Sequence, residues 1–293
     1  MRSVLRYGVV LCLVAAFFLF MLTGSVIMLR WVNPPFTAFT LQHDRSESEI
    51  ERYNLRTWWV DTDDIPHHLR WAVIASEDQR FREHRGFDIE AIKTAWEERN
   101  EGIRQRGAST ISQQVAKNLY LWPDHSWVRK GLEASITLLI EIFWSKDRIM
   151  EVYLNIAEFG PGLHGIGKSS QELFGVPAGR LEPIESARLA AVLPNPNRMR
   201  ANPPSPFVEE RSHWILNQMT QLSGITFLPE EDVTEPIEDE ITPSPDTLET
   251  EYNPDPLLPV EAEAGSRNSE SDTLQLSQTE TDSLALPDTT YSD

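Results

Sequence analysis

From Tyr7 to Leu29 the chain runs 23 residues without a charge. A helix of that length spans about 35 Å, enough to cross the hydrocarbon core of a bilayer. The run exceeds the apolar region of an ordinary signal peptide, and the nearest candidate cleavage site, Thr23-Gly24-Ser25, lies inside it. Arg2 and Arg6 precede the run, and Arg30 alone follows it closely. The positive-inside bias then keeps the N-terminus cytoplasmic and sends the remainder outward. Residues 1–33 are therefore expected to form an uncleaved, single-pass anchor, with Trp31 suited to the membrane interface.

The formal net charge of −19 over 293 residues is a local property. From Pro229 to Asp293 there are 19 acidic residues and one basic residue, Arg267, which leaves 26 acidic and 25 basic residues in the rest. The tail is rich in Glu, Asp, Ser, Thr and Pro and cannot bury enough apolar surface to offset the entropy of ordering. Residues 229–293 are thus expected to be disordered, as a solvated tail or an acidic interaction arm. The folded part is close to neutral, and no nucleic acid is expected as a partner. Cys12 is the single cysteine and sits in the apolar run, which excludes an intrachain disulfide, a cysteine metal cluster and a cysteine nucleophile outside it.

Between them, residues 34–228 read as one compact and mostly α-helical domain. Leu69, Ala72, Val73 and Ser76 recur at helical spacing after Pro66. Leu132, Ser135, Ile136, Leu139, Ile140 and Phe143 form a second stripe. Ile149, Val152, Tyr153 and Ile156 form a third, with Ser145 as its N-cap. A fourth runs from Glu185 to Leu193 and stops at Pro194-Asn195-Pro196. Arg56 to Val60 is the best strand candidate.

Four polar patches carry chemistry. The first, Ser76 to Asp88, opens with adjacent carboxylates, Glu77 and Asp78, at the end of an apolar helical stripe. Such an end disfavours negative charge, and burial there can raise one carboxyl towards working pH. The bland alternative is a solvated terminus with Arg80 and Arg82 as partners. The second, Gly107 to Asn118, offers hydroxyl and amide donors with Lys117 as a point charge suited to phosphate, but it lacks P-loop spacing. Ser109 or Thr110 would cap a helix there. In the third, Arg129-Lys130-Gly131-Leu132-Glu133, Arg129 and Glu133 share a face as an ion pair, or as a carboxylate and cations able to gather a metal and a pyrophosphate. The fourth, Lys146 to Asn155, places Glu151 and Asn155 on one face with Tyr153 inward.

In this order the patches resemble the motifs of the peptidoglycan glycosyltransferases, the family of the monofunctional transglycosylases and the N-terminal domains of class A penicillin-binding proteins. The first matches E-D-x-x-F-x-x-H-x-G-x-D and the second G-x-S-T-I-x-Q-Q-x-x-K-N. R-K-x-x-E follows, then K-x-x-I-L-E-x-Y-L-N with Met150 in place of Leu. A fifth, R-x-A-x-L-P-N-P, is matched from Arg188 to Pro196 with a shift of one small residue. The resemblance covers about residues 55–200 and implies a lysozyme-like helical fold. It implies that Glu77 takes the proton from the 4-hydroxyl of the acceptor sugar of lipid II. That oxygen then attacks the anomeric carbon of the growing glycan strand, inverting it and expelling undecaprenyl pyrophosphate. It further implies that Lys117, Arg129 and Lys130 serve the pyrophosphate. Glu133 acts with Glu77 in the reaction, binding a divalent cation, with Mg2+ expected, or orienting that end. Ser109, Gln113, Gln114 and Asn118 would line the cleft, and Asp78, Phe81 and His84 would support the first motif at the substrate. The bacterial cytoplasmic membrane and cell-wall synthesis proteins are the implied surroundings. The stretch Gly165 to Ser170 departs from the family in being more polar, which leaves a role for Lys168 open.

No lysine follows Lys168, so neither S-x-x-K nor K-T-G occurs downstream and a transpeptidase is excluded from this chain. The alternatives are a lysozyme-like wall glycan hydrolase with Glu77 as general acid, which leaves Lys117 and Arg129 without a purpose, and an inactive scaffold, which would have lost the acid motif.

Overall fold

The computed structural model describes residues 2–38, 40, 54–102, 107–123 and 126–227. The chain divides after residue 235 into two units, and all the described residues belong to the first. The acidic tail expected at 229–293 lies outside them.

The fold is predominantly helical, as expected. Helix α1, Arg2–Met28, is long and apolar enough in its segment Arg6–Met28 to cross a membrane, with a mean hydropathy of 2.6. Its apolar side chains from Val9 to Phe20 are largely exposed, so it is not a core helix of the domain. Its far end is held differently. The last carbonyls of a helix have no partner within it; here the domain supplies one for Val26 and for two carbonyls just past the helix end. The Trp144 indole N–H donates to the Val26 carbonyl at 2.7 Å, and Arg148 donates to the carbonyls of Leu29 at 2.9 Å and Val32 at 3.2 Å. Arg30 returns a bond to the Phe143 carbonyl at 2.8 Å. A cation at a helix C-terminus also opposes the negative end of its dipole.

The domain is built from two groups of helices. Helices α2 (His67–Glu77), α8 (Pro183–Val192) and α9 (Pro206–Ser223) pack on one another. So do α4 (Ile111–Tyr120), α5 (Trp127–Phe143) and α6 (Lys146–Ile156), with α4 against both others. Helix α3 is Ile89–Asn100, and α7 is Ile166–Phe174. A two-stranded antiparallel hairpin, β1 (Glu158–Gly160) and β2 (Leu163–His164), leads from α6 into α7.

Helix α6 lies deepest. Every residue from Ile149 to Ile156 is buried, so its polar members must find partners inside the protein. Glu151 accepts from Trp59 Nε1 at 2.9 Å, from Thr62 Oγ1 at 2.6 Å and from Arg148 Nη1 at 2.7 Å. Asn155 accepts the Val60 N–H and donates to the Val60 carbonyl, both at 2.8 Å. This explains why the strand expected at Arg56 to Val60 does not form. The Asn155 amide satisfies the backbone groups of Val60 that a neighbouring strand would have taken, while Leu55–Trp58 close into a 3-10 turn capped by Asn54.

The second stripe is only half right. Helix α5 buries Arg129, Glu133, Ile136, Thr137 and Ile140, whereas Leu132, Leu138 and Ile142 face outward. Its buried face carries the charges because those charges pair with one another. The polar stretch after the hairpin also packs. Ser169 and Ser170 are fully buried and donate to the carbonyls of Gly165 and Gly167, while Lys168 pairs with Glu172 at 3.7 Å. Gly167 is needed for close approach, since a Cβ there would lie 2.2 Å from the Trp58 carbonyl oxygen. Gly167→Ala must displace that backbone and is expected to destabilise the domain by about 1–3 kcal/mol. Thermal unfolding of the variant beside the wild type checks it.

Candidate active site

The two helix groups meet where α2 ends. Asp78 caps that end with its backbone N–H on the Ile74 carbonyl, and its side chain crosses the seam. Its Oδ2 accepts the Ile111 N–H at 3.1 Å, one of the unpaired donors at the start of α4, and its Oδ1 lies 2.8 Å from His84 Nε2. Thr110 caps α4, forms a capping box with Gln113, and donates its hydroxyl to the Gly86 carbonyl at 2.7 Å. The first two motifs are thereby stitched together. Arg80 and Arg82 are not the partners of the paired acids: Arg80 pairs with Glu83, Asp88 and Glu90, and Arg82 with Asp147.

Glu77 is half-buried, one residue before the clasp. Its Oε2 accepts from Gln114 Nε2 at 2.8 Å, and Ser76 Oγ lies 3.4 Å from Oε1. The Gln114 amide is itself oriented, because its oxygen accepts from the Tyr153 hydroxyl at 3.3 Å. Burial pushes the Glu77 carboxyl above its ordinary range; Gln114, Arg211 and Ser76 pull it back in part, and Asp78 adds a further push upward. Burial also holds the Tyr153 phenol well above its usual range, helped by Glu77 and Asp78, so it stays a donor.

One turn along α4 from Gln114 stands Lys117, and Asn118 beside it completes the same face. Burial lowers the Lys117 ammonium, Glu133 opposes that, and Arg129 and Lys130 reinforce it. The three cations gather around one carboxylate. Glu133 Oε2 accepts from Arg129 Nη1 at 3.2 Å, and its Oε1 is bonded by Lys130 Nζ. Ser126 caps this end of α5 through the Arg129 N–H. The site is therefore a single carboxylate held by amide and hydroxyl donors, one helical turn from a cationic cluster with a carboxylate at its heart. Among the described residues no three His, Cys, Asp or Glu side chains converge as a metal cage. Glu133 is the one carboxylate of this cluster, and both its oxygens are engaged by cations.

Three residues expected at the substrate, Asp78 of the contact just described, Phe81 and Gln113, are turned inward. Phe81 is 1% exposed, packed edge-on to His84 beneath the Lys146 ammonium, and offers no surface to a ligand. Gln113 is buried, with its amide oxygen held by the Thr110 N–H at 3.0 Å. Ser109 is exposed just ahead of the α4 cap. Sequence reasoning gave no part to Ser76 or Arg211. Ser76 stood beside the acid as a helical stripe residue, and Arg211 lies in α9 outside every motif.

A domain that sets one raised carboxylate across from a cluster of cations is equipped for general-base chemistry beside an anion. The chain belongs to the transglycosylase family, whose profile matches residues 44–220, and it is a glycosyltransferase. It is similar to proteins named biosynthetic peptidoglycan transglycosylase. The one from Aeromonas hydrophila is 48% identical over 206 residues, 69% of this chain and 86% of that protein. Those from Pseudomonas entomophila and Cronobacter sakazakii are 50% identical over 204 residues and 52% over 207, covering 69% and 70% of this chain and 86% of each relative.

A raised carboxyl has a consequence for stability. With the folded value above the unfolded one, the ionised form is disfavoured by folding at any pH above both, and the penalty disappears below the unfolded value. Glu77→Gln, which retains an acceptor for Gln114, is expected to raise the melting temperature at neutral pH. The gain should shrink to nothing as pH falls through the ordinary carboxylate range, measured by melting curves from pH 8 to 4.

Proposed function

We propose that the protein polymerises lipid II into peptidoglycan glycan strands. The observation that carries this reading is the pairing of Glu77, raised by burial, with the Lys117, Arg129, Lys130 and Glu133 cluster one helical turn away. A sugar hydroxyl is a poor nucleophile, and a departing pyrophosphate gathers negative charge. Glu77 takes the 4-hydroxyl proton of the acceptor as its oxygen attacks the anomeric carbon from the face opposite the leaving group, with inversion. The electron pair of the breaking bond goes to undecaprenyl pyrophosphate, whose oxygens are met by Lys117, Arg129 and Lys130. Glu133 would hold a divalent cation, Mg2+ by expectation, in place of one of its present cationic partners, and the ion would supply charge neutralisation there. Gln114, Asn118 and Ser109 border the acceptor side.

The hydrolase alternative calls for a second carboxyl across the glycosidic bond. The Asp78 side chain is 2% exposed with both oxygens engaged, and Glu133 is neutralised by its two cations. Neither is placed to activate water opposite Glu77.

The membrane assignment is part of the same proposal. An exposed apolar helix of this length is sheltered by a bilayer, and a substrate carried on a polyprenyl chain is confined to that surface. A single-pass anchor with the domain outside the cytoplasmic membrane places enzyme and substrate together.

In a polymerisation assay on labelled lipid II with the full chain, Glu77→Gln is expected to lower the rate by about 100-fold or more while the protein stays folded. A rate near that of the wild type would sink the assignment of Glu77 as base, and cleavage of purified glycan without polymer formation would sink the transferase. Chelation by EDTA should slow the wild type, with recovery on adding Mg2+, and Glu133→Gln should lose that recovery.

A further inference from the structure

The reaction drawn above takes its charged groups from α2, α4 and α5, yet Glu77 is also faced from α9. Arg211 Nη2 donates to Ser76 Oγ at 3.2 Å, and that oxygen lies 3.4 Å from Glu77 Oε1 and 3.1 Å from the Ala190 carbonyl. The Arg211 Nε is buried and has no hydrogen-bond partner among the described residues. A buried guanidinium is costly unless an opposite charge offsets it. Burial draws Arg211 below its ordinary range, and Glu77 is the group that pushes it back.

Among the described residues, the charged and titratable groups facing Glu77 are few. They are Asp78 on its own helix, Lys117 from α4, Tyr153 from α6 and Arg211 from α9. Helix α8 offers the Ala190 carbonyl, a second acceptor at 3.1 Å for the one Ser76 hydroxyl proton that Glu77 Oε1 can also take. Lys117 leans towards Glu133, Tyr153 is neutral, and Asp78 repels. That leaves Arg211 as the cation whose charge is balanced by Glu77 alone.

We propose that Arg211 is a positioning residue for the reaction, acting through the Ser76 hydroxyl to hold the Glu77 carboxylate in place and balance its charge in the buried seam. The proposal rests on Glu77 being the base. Without a cation behind it, burial would hold the carboxyl further towards its protonated form, which cannot take a proton. Arg211 draws it back towards the ionised form. The third helix of the α2, α8, α9 group thus has a chemical role as well as a packing one.

The test is the pH dependence of lipid II polymerisation for the wild type, Arg211→Gln, Arg211→Lys and Ser76→Ala, with melting curves to confirm folding. Arg211→Gln is expected to move the acid limb up by roughly one pH unit. It should be about tenfold slower than the wild type below the limb and approach its rate above it. Arg211→Lys, which keeps the charge, should return the limb towards its original position. An unmoved limb in Arg211→Gln, even with a rate depressed at all pH, overturns the proposal, because a merely structural loss would look like that. Should Arg211→Gln fail to fold, Ser76→Ala decides: a limb shifted upward by a smaller step supports the link, and an unmoved limb refutes it. Glu77→Gln run alongside separates the two ideas, since full activity in that variant removes the base itself, wherever the limbs of the others lie.

Discussion

The clasp at Asp78 is the contact on which the site depends. Two groups of helices pack internally by ordinary apolar burial, but burial is non-directional and does not set how one group is aligned to the other. A carboxylate that takes a backbone donor at the head of α4 and stands against His84 sets that alignment, because hydrogen bonds weaken quickly with angle. Glu77 is the next residue back along the chain. Its distance to Gln114, and through that amide to Tyr153, follows from where the clasp sits. The clasp also draws His84 and the loop beneath it against α4, and there Phe81 becomes core. A residue that belongs to a functional motif can therefore owe its place to scaffolding.

Much of this was legible in the residues. The apolar run announced α1, the repeat of Ile149, Val152, Tyr153 and Ile156 announced α6, and Ser145 stands as its cap with its side chain on the Arg148 N–H. The paired acids, the lysine of the second motif and the cluster of the third could be named, and the structure places Glu77, Gln114, Lys117, Arg129, Lys130 and Glu133 around one seam. Periodicity failed on α5, because it scores side chains by polarity. It could not know that Arg129 and Glu133 would be buried as a pair while leucines faced outward. It failed at Arg56 to Val60 for a related reason, since a side-chain amide from 95 residues away stands in for a strand. Gln113 looked like a ligand because amides are good donors, yet its spacing from Thr110 is also that of a capping box, and that use won. Arg211 carried no local signal, being an arginine on a helix, and only the packing of α9 on α2 gives it meaning.

The cationic cluster and the lone acid also divide the work of holding charge. At the third motif, three cations surround one carboxylate, leaving a positive surplus. At the first motif the balance is closer, with one acid against one distant cation. A nearly balanced and a positive charge environment thus lie at successive turns of α4.

The bonds that catch the end of α1 set how that helix is joined to the domain. Carbonyls of Val26, Leu29 and Val32 held by Trp144 and Arg148 leave no slack between helix and domain. Arg148 continues through Glu151 to Trp59 and Thr62, so the same network reaches the middle of the fold. A flexible leash would let the domain tumble above a surface, whereas this junction works as a mast. The setting of α1 on the domain is thereby held by Trp144 and Arg148.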